Sequence, residues 1–132
     1  MKRMIAQLSL LVRDYDEAIE FYVGKLGFVL LEDTPLSATK RWVVAAPSAD
    51  AGGCRLLLAK ASDEEQVRRV GDQTGGRVFL FLHTDDIARD RQRLIAEGVR
   101  IVREPVTQPY GTVLVFADLY GNLWDLIQPV AG

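Results

Sequence analysis

The pattern of hydrophobic and polar positions along this chain occurs twice. In each copy an apolar, strand-like run leads to an Asp, then to an amphipathic stretch with apolar residues three and four apart, and then to a Gly. The first amphipathic stretch extends from Asp14 to Gly27 and the second from Asp85 to Gly98, an offset of 71 residues at both ends. Repetition on this scale predicts two copies of one supersecondary unit.

The first copy predicts the element order β-α-β-β-β. Residues 4–13 are mainly apolar and are interrupted by Gln7 and Ser9, a pattern typical of a strand with one buried face and one partly polar face. A helix follows, capped by Asp14 or Asp16 and stopped by Gly27. The predicted buried stripe of this helix consists of Ala18, Ile19, Tyr22, Val23 and Leu26. Three further strands are predicted at 28–33, 40–46 and 54–60.

The second copy predicts the same order after a linker at 61–76. In the linker, Ser62 followed by Glu65 is a capping-box pattern that predicts a short helix. The second copy then has a predicted strand at 77–83 and a helix from Asp86 to Glu97. The inward residues of that helix are predicted to be Ile87, Leu94 and Ile95, and the remaining strands lie near 100–103, 112–117 and 123–128. The Pro-containing segment from Glu104 to Gly111 is predicted to be a long loop, either a lid or a dimer contact.

Composition and charge narrow the class of protein. With 132 residues, 48% hydrophobic positions and 26% charged positions, the chain is expected to form one soluble domain. A net charge of −2 gives no field that favours nucleic acid or an anionic membrane, and no apolar run approaches membrane-spanning length. Because Cys54 is the only cysteine, no intrachain disulfide can form, which favours a cytoplasmic location.

Two segments carry a family resemblance. LVRDYDEAIEFYVGKLGF in the first half and FADLYGNLWDLIQP near the end resemble the glyoxalase, bleomycin-resistance and extradiol-dioxygenase superfamily, the vicinal oxygen chelate proteins. The resemblance implies an α+β fold in which two βαβββ modules form an open, cup-like mixed sheet. It implies a single domain over residues 1–132, with module 1 at about 4–60, a linker helix at about 61–76 and module 2 at about 77–128. It also implies a homodimer.

The resemblance also locates the positions at which metal-dependent relatives hold an ion. The first falls on Gln7 and the second on Leu56 or Leu57. The third falls on Phe79 or Val78, and the fourth on Asp125. Two of the four positions are therefore apolar, and a tightly bound metal is not expected. If a divalent metal binds, Gln7 and Asp125 are its candidate ligands.

Other candidate site residues follow from strand alternation and side-chain chemistry. With a period of two, Phe79, Phe81 and His83 share one face of their strand, and Gln7 and Ser9 share one face of theirs. Trp42 and Tyr110 could stack on a planar ligand, although aromatic residues in strands are more often core residues. His83 and Asp125 are the candidate catalytic groups, and the alternative for His83 is a hydrogen-bonded residue at a strand edge. The candidate ligand-binding residues are Gln7, Ser9, Trp42, Phe79, Phe81, His83, Tyr110 and Asp125.

Two functions are compatible with these residues. The first is binding of a small, aromatic or amphipathic molecule without a tightly bound metal, as the resemblance to the bleomycin-resistance branch implies. The second is a divalent-metal-dependent lyase, isomerase or dioxygenase of the glyoxalase type that uses Gln7 and Asp125. The sequence does not decide between a binding protein and an enzyme.

Overall fold

The computed structural model describes residues 1–49 and 52–131. Across these residues the chain forms two four-stranded mixed sheets, each belonging to one of two compact units, Met1–Val70 and Gly71–Gly132. This arrangement confirms the predicted α+β class and the two repeated β-α-β-β-β modules. None of the helices in the described residues has the length and hydropathy needed to cross a membrane.

The first unit contains four strands and two helices. In its sheet the strand order is β1-β4-β3-β2, with β1 parallel to β4 and the other neighbours antiparallel. Helix α1 continues directly into a π-helical segment, Glu20–Lys25. The other elements are β1 (Gln7–Val12), α1 (Tyr15–Ile19), β2 (Val29–Pro35), β3 (Arg41–Ala46), β4 (Arg55–Lys60) and α2 (Glu64–Arg69).

The second unit repeats the sheet of the first. Its strand order is β5-β8-β7-β6, again with one parallel pair, β5 and β8. The elements are β5 (Val78–His83), α3 (Ile87–Ala96), β6 (Ile101–Gln108), β7 (Gly111–Ala117) and β8 (Leu123–Pro129). Alternate residues of β8 face α3: Trp124 and Leu126 are buried, and the Gln128 side chain accepts a hydrogen bond from the Ile87 N–H. Leu123, Asp125 and Ile127 therefore lie on the opposite face of the sheet.

Helix capping follows the sequence closely, with one shift. Asp14 and Asp86 are the N-caps of α1 and α3, because their side chains accept hydrogen bonds from backbone N–H groups three residues later. In α2 the cap is Asp63, not Ser62, and the Gln66 side chain accepts from both the N–H and the hydroxyl of Ser62. The predicted capping box is therefore wrong by one residue.

The π-helical segment changes which residues of the first helix are buried. Hydrogen bonds of the i→i+5 type take more residues per turn than an α-helix, so the 3.6-residue spacing does not hold beyond Ile19. Phe21 is buried together with Tyr22, whereas the predicted stripe residues Ile19, Val23 and Leu26 are only half-buried. Ile95 on α3 is also a wrong prediction, because 53% of it is exposed.

The predicted loop from Glu104 to Gly111 is wrong. Strand β6 continues to Gln108, and only Pro109 and Tyr110 connect it to β7. The strand passes Pro105 because the register between β6 and β7 shifts between Arg103 and Val106. A proline cannot donate to a ladder, and a bulge on an edge strand is where a sheet tolerates one. This segment is therefore part of the sheet and not a lid.

Candidate functional site

In the first sheet, strand pairing decides which leucine shares a face with Gln7. Gln7 pairs with Arg55 and Ser9 pairs with Leu57 across the parallel β1–β4 ladder. Side chains of directly paired residues lie on the same face of a sheet. Leu57 therefore shares the face of Gln7 and Ser9, whereas Leu56 points to the opposite face and is buried. Of the two leucines, Leu57 is therefore the one that lies on the same face as Gln7.

In the second sheet, a bulge in β5 breaks the alternation expected from the sequence. Val78 pairs with Leu123 and Leu80 pairs with Trp124, so Phe79 is an extra residue with no partner of its own on β8. Phe81 then pairs with Asp125. Because one residue is inserted, Val78 rather than Phe79 lies on the same face of the sheet as Phe81. The prediction that Phe79, Phe81 and His83 share a face by a period of two is therefore wrong at Phe79.

Asp125 lies in a row of side chains that crosses all four strands of the second sheet. Phe81, Asp125, Val115 and Arg103 are successive register partners from β5 to β6. Burial raises the pKa of the Asp125 carboxyl, and the positive charge of Arg103 lowers this pKa by a smaller amount. The row thus places one half-buried carboxylate between an aromatic ring and an apolar side chain.

A concavity opens at one end of this row. It has a volume of about 580 Å³ and is lined by Arg77, Val78, Phe81 and Asp125. Phe81 is 65% exposed, an unusual state for an aromatic residue at the centre of a strand. Arg77 was not among the residues predicted from the sequence. Its position directly before β5, the strand that carries the third family position, is the signal that could have found it.

The remaining predicted site residues lie elsewhere on the two units. His83 is exposed at the end of β5, opposite Ile127, two positions beyond Phe81 on the same face. Tyr110 is 55% exposed in the turn between β6 and β7. In the first unit, Trp42 is 37% exposed and lies two positions from Val44, the register partner of Leu57. Of the predicted residues, Phe81 and Asp125 are therefore neighbours, and Gln7, Ser9 and Trp42 share one face of the first sheet.

The residues present do not fit the metal that many relatives with this fold hold. The positions that the resemblance implies are Gln7, Leu56 or Leu57, Phe79 or Val78, and Asp125, and only the first and last of these carry oxygen donors. A divalent ion needs several converging donors, and two are too few for tight binding. Within residues 1–49 and 52–131, no group of three or more His, Cys, Asp or Glu side chains is arranged to hold an ion.

Similar proteins were found at three levels of comparison. The family profile described as "Glyoxalase/Bleomycin resistance protein/Dioxygenase superfamily" matches residues 4–126. An uncharacterized protein of Shewanella frigidimarina (strain NCIMB 400) is 57% identical over 129 residues, covering 97% of this chain and 95% of the relative. Among solved structures, UcmS2 has a TM-score of 0.82 and 32% identity, covering 96% of this chain and 98% of its own.

A second solved structure bears on ligands. TnmS3, described as an antibiotic binding protein from Streptomyces sp. CB03234, has a TM-score of 0.74 and 30% identity. The match covers 98% of this chain and 97% of TnmS3. With a family profile that spans nearly the whole chain and relatives above 30% identity along its length, the protein belongs to the glyoxalase/bleomycin resistance protein/dioxygenase superfamily.

Proposed function

We propose that the protein binds a small, aromatic or amphipathic molecule on the second sheet, without a tightly bound metal. The observation that carries this proposal is the exposed ring of Phe81 beside the half-buried carboxylate of Asp125 in one concavity. A volume of about 580 Å³ is within the range of small-molecule sites. The similarity to TnmS3, itself described as an antibiotic binding protein, supports a ligand of this class.

Burial of Phe81 supplies the energy for such binding. Covering a largely exposed phenylalanine contributes about 1.5–3 kcal/mol, and ring-to-ring contact adds about 0.5–1.5 kcal/mol. Val78 extends the apolar surface of the concavity, and Asp125 provides an acceptor that fixes the orientation of a hydroxyl or N–H group on the ligand. These two contributions suit a molecule with a flat apolar body and a few polar substituents.

A metal-free enzyme is the second candidate, and the raised pKa of Asp125 favours it. A carboxyl whose pKa is raised by burial is a more effective proton carrier near neutral pH than an ordinary aspartate. Asp125 would then move a proton on a ligand held against Phe81. A metal-dependent lyase, isomerase or dioxygenase has less support, because Leu57 and Val78 leave the donor set incomplete.

Elemental analysis and a ligand screen together test the proposal. Purified protein, incubated with Zn²⁺, Ni²⁺, Mn²⁺ or Fe²⁺ and desalted, is expected to retain no stoichiometric metal. A thermal-shift screen of aromatic compounds is expected to yield ligands whose affinity falls by at least about tenfold in Phe81→Ala. Ile95→Ala, which removes an exposed apolar side chain from α3, is the matched control.

Metal retained by the wild type and lost in a Gln7→Ala/Asp125→Ala variant would contradict metal-free binding. Consumption of a bound compound would favour the enzyme.

The homodimer implied by the resemblance stays a prediction. Light scattering on the same preparations, at concentrations used for the ligand screen, measures it directly. A mass of twice the chain would support it, and a monomer mass at all concentrations would contradict it.

A further inference from the structure

The charges around the concavity are not balanced. Its lining residues include Asp125 and Arg77, and the positive charge of Arg103 acts on the Asp125 carboxyl. Two positive groups therefore accompany one negative group. Among the described residues, several other arginines are paired with carboxylates; the ion pairs are Arg41–Asp33, Arg68–Glu65, Arg89–Asp85 and Arg91–Glu104.

Arg77 differs from those arginines in its surroundings. In the part of the chain that the structure describes, no carboxylate lies within ion-pair distance of its guanidinium, although it lines the same concavity as Asp125. The Arg77 carbonyl accepts a hydrogen bond from the Thr74 hydroxyl, which anchors the backbone at the start of β5 and leaves the side chain uninvolved. An arginine fixed at its backbone and unpaired at its guanidinium is suited to an external anion.

Arg103 removes the obstacle that Asp125 would present to an anion. A lone carboxylate in a half-buried position repels a negatively charged ligand. Arg103 is two strands away from Asp125 in the same row, and its positive charge offsets that of the carboxylate. Arg77 therefore contributes the net positive charge at the concavity. The planar guanidinium matches carboxylate and sulfonate groups by two parallel N–H···O hydrogen bonds.

On the basis of the proposed function, we infer that the ligand is an aromatic anion whose ring contacts Phe81 and whose acidic group binds the guanidinium of Arg77. Asp125 accepts a hydrogen bond from a hydroxyl or N–H substituent on the same molecule. This inference adds a ligand-binding residue that lies outside the four family positions. It also excludes a simple hydrocarbon or a cation as the preferred ligand.

A pair of fluorescent probes with nearly the same ring system tests the role of charge. Anilinonaphthalenesulfonate carries a negative sulfonate, and phenylnaphthylamine has the same aromatic skeleton without it. Titrated at low ionic strength, the wild type is expected to bind the anionic probe about tenfold more tightly than the neutral one. Added salt is expected to weaken the binding of the anionic probe and to leave the binding of the neutral probe unchanged.

Substitutions of Arg77 test whether this residue causes the preference for the anionic probe. Arg77→Gln is expected to remove the preference for the anionic probe. Its Kd for the neutral probe is expected to differ from that of the wild type by less than about twofold. Arg77→Lys is expected to retain part of the preference, because the charge remains but the planar donor pair is lost. The control is Arg100→Gln, at an exposed arginine outside the concavity. It is expected to leave the affinity for both probes unchanged. Circular dichroism and Tm establish that each variant is folded.

The outcomes separate this inference from the proposed function. Suppose that both probes bind and that Phe81→Ala lowers both affinities. If Arg77→Gln then changes neither affinity, or lowers both equally, the aromatic-anion inference is overturned while binding at Phe81 stands. The same applies if the neutral probe binds as tightly as the anionic one. If neither probe saturates, or if Phe81→Ala leaves both affinities unchanged, the proposed function itself fails.

Discussion

Phe81 and Asp125 are register partners on neighbouring parallel strands, so an exposed ring and a half-buried carboxylate lie side by side on one face of the second sheet. Their backbones are separated by a strand spacing of about 4.8 Å. In the first sheet the corresponding pair is Ser9 and Leu57. The repeat therefore places a carboxylate in only one of its two copies, and we expect ligand chemistry to depend on the second.

Replacing Asp125 should stabilise the folded protein at neutral pH. Burial raises the pKa of the Asp125 carboxyl above its usual value of 3.8, so the folded state binds the proton more tightly than the unfolded state. The contribution of this carboxyl to stability is therefore fully present below about pH 3.8 and is lost as pH rises from there through the folded-state pKa. Asp125→Asn removes this loss, and we expect its Tm at neutral pH to exceed that of the wild type by about 1–2 °C.

Thermal unfolding across pH measures this effect of Asp125. The difference between Asp125→Asn and the wild type should disappear below about pH 3.8, where the carboxyl is protonated in both states. Asp72→Asn, at an exposed aspartate of the same unit, controls for the loss of one surface charge. A lower Tm for Asp125→Asn at neutral pH would show that the carboxylate makes a stabilising contact in the folded protein.

The pair formed by Asp33 and Arg41 should give the opposite pH dependence. Arg41 donates from Nε to Oδ1 of Asp33 at 3.1 Å and from Nη2 to Oδ2 at 2.7 Å. These hydrogen bonds lower the pKa of Asp33 from 3.8, so its contribution is complete above about pH 3.8 and is lost as pH falls through the lower folded-state value. We expect Asp33→Asn to lower Tm at neutral pH by a few degrees at most, since the pair lies near the surface.

The matched control for Asp33 is Asp16, which contacts the same guanidinium through one hydrogen bond of 2.9 Å and is 80% exposed. Asp16→Asn should have a smaller effect on Tm. The deficit of Asp33→Asn should close as pH is lowered below about 3.8. A deficit that stays constant with pH would assign the effect to packing rather than to the ion pair.

Gly71 should tolerate alanine much less well than Gly75. Both glycines have positive φ, 79° and 66°, which an alanine adopts at a cost of about 1–2 kcal/mol. A Cβ on Gly71 would also lie 2.0 Å from the Tyr120 carbonyl oxygen, whereas a Cβ on Gly75 meets nothing within 4 Å. In urea unfolding we expect the free energy of unfolding to fall by about 1 kcal/mol in Gly75→Ala and by more than about 2 kcal/mol in Gly71→Ala. Equal losses would mean that the turn at Tyr120 shifts to admit the methyl group.

The bulge at Phe79 can be tested with an introduced metal ligand. Val78 lines the concavity together with Asp125, and Phe79 has no register partner on β8. We therefore expect Val78→His to acquire a Ni²⁺-dependent rise in Tm of about 2–4 °C at tenfold excess over Kd. Phe79→His should show a smaller rise, and Val78→His combined with Asp125→Asn should show none. A larger rise for Phe79→His would contradict the observed register.

Features that depend on neighbouring residues in the chain were determined by the sequence alone. The repeat, the element order, a cap at Asp14 or Asp16 and the stop at Gly27 all follow from periodicity, capping and positive φ, and the structure selects Asp14 as the cap. Each of these is a local property, because the helix cap and the residues it serves lie within one turn. The family resemblance, read from Asp14 and Gly121, is also what implied Gln7 and Asp125 as candidate site residues.

The tertiary structure decided everything that depends on strand pairing. The insertion at Phe79, the choice of Leu57 over Leu56 and the extension of β6 through Pro105 are properties of two strands held together. A single inserted residue reverses the faces of all residues that follow, and no spacing within one strand reveals it. The pairing of β5 and β8 also places Arg77 at the same concavity as Asp125, a relation that the position of Arg77 directly before β5 does not by itself reveal.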